Sequence, residues 1–223
     1  MLNPQSAKCR EAIAMLELTA TGRAIIEATG HEEITITEIA GLNSSGITTA
    51  ITSIQVMQEI TAIPNMAMVI GHELTHCLDL MYWRDNPERN DLGTLMTPSQ
   101  IGRSEVNAHF NQGKIGRELK ALANKPDTTF TPEQVTAVTT MANSSTTFGK
   151  SIDWLDRHAV VLYLISTEMY SASIKAACEH NNMFNAWSDS YWCDHSEEFH
   201  SEAHFNDDHR WNNAEWVNKQ KGK

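Results

Sequence analysis

The chain has 223 residues, 41% apolar and 20% charged, so it can bury a core without disulfides, which excludes disorder and fibrous repeats. Its 17 Lys and Arg stand against 28 Asp and Glu, a formal net charge of -11. Such a chain repels a phosphate backbone and has no local basic patch to offset this, so nucleic acid is not an expected partner.

Residues 7 to 28 read as one helix, with Ile13, Leu16, Leu18 and Ile25 at apolar positions and Gly30 as its stop. The runs ITITEI (34 to 39) and ITTAITSI (47 to 54) flank the turn sequence GLNSSG, which predicts a hairpin or short meander. A helical pattern runs from Pro64 to about Trp83. Residues 84 to 103 hold two prolines and two glycines without a clear period, and read as a long functional loop. Helices are expected again at 104 to 124, 132 to 142 and 152 to 180, with Ser-Ser-Thr-Thr as a break before the last. The fold class is therefore α+β, mostly helical with a small sheet near the N-terminus. Residues 1–180 read as one domain and 181–223 as a His-, Asp- and Trp-rich segment packed on it or extending from it.

Cys9, Cys77, Cys178 and Cys193 form no CxxC pair, which favours a reduced, cytoplasmic chain. The start MLNPQSAKCREAIAMLELTATGR lacks a basic segment followed by an apolar run, so no cleaved signal peptide is expected; secretion without one stays open. No 18-residue uncharged apolar window occurs, so no membrane span is expected. The sequence sets no oligomeric state.

Residues 72 to 76 read HELTH, an HExxH inside a helical pattern. Positions i and i+4 lie one turn apart on one helix face, so His72 and His76 can aim two imidazoles at one ion. Glu73 lies beside them, placed to take a proton from a water on that ion. Ile70, Leu74, Cys77 and Met81 mark a buried face, with His72, His76 and Asp79 opposite, facing a cleft. The competing reading is a pair of structural histidines.

A catalytic zinc (Zn²⁺) takes a third protein ligand and keeps one position for water. Glu105, 29 residues beyond His76, is the foremost candidate, in the first turn of a helix that Ser104 would cap. It would otherwise only complement the helix dipole. His109, one turn on, is the rival ligand or a group behind the ligands. His200 and His204 repeat the i, i+4 spacing in an acidic tail, which reads as a solvated segment ahead of a second metal site.

HELTH followed after a long loop by a helical Glu resembles the gluzincin type of zincin metallopeptidase. His72, Glu73, His76 and Asp79, then Glu105 and Ala108, give HExxHxxD and ExxA, similar to anthrax-lethal-factor-like toxin metallopeptidases. The prelude GRAIIEAT, ITITEI and an apolar helix also resembles bacterial type III effector metallopeptidases, over roughly residues 22 to 110. The resemblance implies a zinc endopeptidase acting on a protein or peptide substrate, in which Asp79 orients a ligating imidazole. It also implies a donor to the reacting carbonyl, for which Tyr82, Tyr163, Tyr170 and His109 are candidates. Many gluzincins carry an acid where this chain has His109. A non-catalytic, zinc-stabilised protein-binding module is the alternative, in which a fourth side chain would replace the water.

Overall fold

The computed structural model describes residues 1–30, 32–85, 98–155, 159–160 and 163–164. Most of the helix expected at 152 to 180, the segment 181–223, Tyr170, His200 and His204 lie outside the described residues, as does the side chain of Tyr82.

The chain enters through a short strand, β1 (Leu2–Pro4), then forms α1 (Ala7–Glu17) and α2 (Ala20–Ala28). The single helix expected over 7 to 28 is thus two. Thr19 makes the break: its hydroxyl accepts from the Gly22 amide at 2.9 Å and donates to the Leu16 carbonyl at 2.7 Å. A Thr that caps a new helix satisfies backbone groups that continuing the old one would have paired. Gly22 is required there, because a Cβ would stand 2.2 Å from the Leu16 carbonyl oxygen.

Strands β2 (Ile34–Ile39), β3 (Gly46–Ala50) and β4 (Ser53–Met57) complete a four-stranded sheet in the order β1-β2-β4-β3. Alternate residues face the core, and Ile34, Ile36, Ile54 and Val56 are fully buried. The run 47 to 54 is not one strand paired with β2. It splits at Ile51–Thr52, so that β3 pairs antiparallel with β4, while β4 pairs parallel with β2. The β3 strand is left at the sheet edge.

Helix α3 (Ile63–Asp85) is the spine of the core, with Met66, Ile70, Leu74, Cys77 and Leu78 fully buried. On the face expected to open on a cleft, His72 and His76 do line one while each is only 8% exposed, and Asp79 is fully buried and not part of its lining. Helix α4 (Pro98–Ala123) packs on α3, with Ile115 against Gly71, and its Ile115 and Leu119 join the same buried core. It begins six residues before Ser104, so the expected helix start at Ser104 is wrong, and 98 to 103 belong to the helix. Pro98 at the first position suits a helix start, because its missing N–H is one that no helix would pair.

Helix α5 (Pro132–Ala142) has the expected bounds, fixed by a capping box between Thr131 and Gln134. A short helix, α6 (Thr147–Ser151), starts at the last residue of the Ser-Ser-Thr-Thr break and packs against α4, whereas 152–155, where the next helix is expected to begin, are not helical. Among the described residues, no helix is long and apolar enough to cross a membrane.

Candidate metal centre

The i, i+4 spacing on α3 does what the helix period requires. His72 and His76 lie one turn apart, with their Nε2 atoms 3.1 Å from each other. Glu105 arrives from α4, with Oε2 3.7 Å from His72 Nε2 and Oε1 3.7 Å from His76 Nε2. All three residues are buried, and each offers a donor atom within 4.8 Å of the other two. A tetrahedral ion with bonds of about 2.0–2.1 Å needs its ligand atoms roughly 3.3–3.4 Å apart. The observed separations bracket that value, so the donor set fits one metal ion. Two imidazoles and a carboxylate suit zinc and also several other divalent transition metals.

Burial keeps His72 in the neutral form that can ligate. Desolvation, and then the neighbouring His109 and His76, hold His72 well below the ordinary imidazole value. His109 is pushed down to about 3 by burial and by His76.

Asp79 reaches the site through an intermediary. Ser104 Oγ donates to Asp79 Oδ2 at 2.6 Å and lies 2.6 Å from His76 Nδ1. With its one proton given to Asp79, the Ser104 oxygen accepts from His76 Nδ1–H. That leaves His76 Nε2 unprotonated and turned toward Glu105 and His72. Ser104, expected to cap a helix, instead sets the tautomer of His76, one of the three candidate ligands. Its partners lie 28 and 25 residues away in sequence, so local pattern carries no sign of this role. Ser104→Ala is expected to weaken metal binding by about 10- to 100-fold while the fold persists, the usual cost of losing a partner behind a ligand. Competition with a zinc-responsive chelator measures this, and unchanged affinity would remove Ser104 from the site.

His109 stands beside the three donors. Its Nε2 is 3.8 Å from Glu105 Oε2, and its ring meets His72 edge-on with centroids 4.6 Å apart. The set of three convergent donor residues contains Glu105 and not His109. Glu105→Ala is therefore expected to lower zinc affinity at least about tenfold more than His109→Ala, since only the former removes a ligand. Zinc dissociation constants decide it; the reverse order would make the site a three-histidine one.

Trp154 packs on the far side of His109, with ring centroids 5.9 Å apart, and Tyr163 lies 4.8 Å beyond Trp154. The Tyr163 hydroxyl pairs with Thr147 Oγ1 at 3.0 Å. Of the described candidates for a donor to a reacting carbonyl, His109 is the one the structure brings to the cluster.

Glu73 is 4% exposed and turns toward β3, where Thr48 Oγ1 lies 2.9 Å from its Oε2. Burial raises its carboxyl to about 7, and the Thr48 hydrogen bonds oppose that rise. A cleft of about 690 Å³ opens over the group, lined by His72, Glu73, His76, Glu105 and His109, by the β3 residues Gly46 to Thr48, and by Phe148 of α6. Comparison with known protein families, curated proteins and solved structures finds no match for this chain. The reading of the site therefore rests on its own geometry.

Proposed function

We propose that the chain is a zinc-dependent endopeptidase of the zincin kind, hydrolysing peptide bonds of a protein substrate. One observation supports this above all: two imidazoles and a carboxylate converge at ion-binding separations beside a buried carboxylate, at the base of an open cleft. His72, His76 and Glu105 would hold the ion and Glu73 would stay off it. Bound zinc would supply a Lewis acid for the scissile carbonyl and acidify the attacking water.

Glu73 would be the base that takes a proton from the attacking water and returns it to the leaving amine. In the metal-free chain burial raises its carboxyl to about 7, and the charge of a bound cation would oppose that rise. A metal site that only stabilised a fold would have no use for such a base. His109 is placed to donate to the carbonyl oxygen as it gains charge. The substrate would lie extended along β3, because an edge strand offers free backbone groups to a passing chain.

The test is hydrolysis of a degenerate fluorogenic peptide library by zinc-loaded protein, with and without chelator. Chelator-sensitive cleavage supports the reading, and an uncut library contradicts it.

A further inference from the structure

Two residues of β3 close on Glu73. Gly46 and Thr48 are two apart in the strand, so they share one face of it. The Thr48 hydroxyl lies 2.9 Å from Glu73 Oε2 and 2.9 Å from the Glu73 carbonyl oxygen, sharing its proton between them. Gly46 allows the approach: a Cβ there would stand 2.7 Å from Glu73 Oε1 and 2.9 Å from Glu73 Cγ. One carboxylate oxygen is thus hydrogen-bonded to the strand and the other lies against it. The pairing register with β4 shifts between Thr48 and Ala50, an irregularity of the kind that re-aims side chains.

We propose that Thr48 is a positioning residue for Glu73: its hydroxyl, together with the close approach at Gly46, holds the carboxylate in the orientation from which it accepts a proton. The proposal rests on the reading of Glu73 as the base. A carboxylate on a flexible side chain can rotate away from a reacting water, and misplacement of about 1 Å can cost about 10²-fold in rate. Tethering one oxygen to the strand leaves the other with a fixed direction. The tether comes from the sheet rather than from the metal ligands, so it acts on proton transfer without acting on metal affinity.

Thr48→Val keeps the shape and removes the hydroxyl, whereas Thr48→Ser keeps the hydroxyl. Zinc content, kcat and KM are measured for both on the peptide that wild type cuts best from the library, beside Glu73→Gln. Thr48→Val should retain zinc and KM within about twofold, and lose about 10- to 100-fold in kcat. Thr48→Ser should stay within about threefold of wild type, which a merely structural loss of β3 packing would not single out. Should Thr48→Val lack a cooperative unfolding transition, Thr48→Ala makes the same comparison with a smaller side chain. Wild-type kcat in the variant without a hydroxyl, or equal losses in the Val and Ser variants, would overturn the proposal. Wild-type activity in Glu73→Gln would instead overturn the reading of the base, so the two failures are distinct.

Discussion

Replacing Glu73 by Gln is expected to leave zinc content and thermal unfolding unchanged while lowering peptide hydrolysis by about 10²- to 10⁴-fold. The expectation follows from position. Glu73 is on α3 between the two histidines in sequence, but its carboxyl turns to Thr48 and is not one of the three convergent donors. Gln has the same length and an oxygen that can accept from Thr48, so packing against Gly46 and the hydrogen bond both survive. It lacks the ability to take up a proton. Hydrolysis by Glu73→Gln at the wild-type rate would show that proton transfer runs elsewhere, and zinc loss in that variant would show that Glu73 is a ligand.

His76→Ala has the largest expected effect on the metal. His76 supplies a donor 3.1 Å from His72 Nε2 and 3.7 Å from Glu105, so its loss leaves two ligands on different helices. It also removes the His76 Nδ1–H that the Ser104 oxygen accepts, while Ser104 still donates to Asp79. Zinc occupancy is expected to fall from about one per chain to under about a tenth at equal free zinc. His76 is on α3 but outside its fully buried apolar set, so the helix and sheet should persist. Circular dichroism checks that the loss is local.

The parts of the site that were legible in the sequence are those a helix dictates. HELTH fixes two imidazoles on one face through the i, i+4 spacing, and Glu105 stood out as an acid in a helical pattern beyond a loop. The bounds of α5 were legible because Thr131, Pro132 and Gln134 carry the capping signal within four residues. What stayed hidden depends on partners far apart in the chain. Ser104 looked like a cap because its neighbours are helical, yet its role is set by Asp79 and His76 on another helix. Thr48 looked like one more β-branched residue, and only the packing of β3 on α3 gives it Glu73.

The sheet shows the same limit. Ile51–Thr52 turns the chain between β3 and β4 without Gly, Pro, Asn or Asp, so the β-branched run gave no sign of a break. The parallel pairing of β2 with β4 then follows from topology and not from either strand alone. Thr19 caps α2, but the apolar positions continue on both sides of it, so the pattern alone reads as one helix.

His72, His76 and Glu105 are proposed to hold one metal ion. The most direct measurement is the zinc stoichiometry of purified protein, dialysed against buffered free zinc, set beside His76→Ala and Glu105→Ala. About one tightly held zinc per wild-type chain, lost in both variants while Glu73→Gln retains it, is the predicted result. Wild-type protein that binds no zinc under those conditions, or His76→Ala that keeps its full complement, would contradict the account.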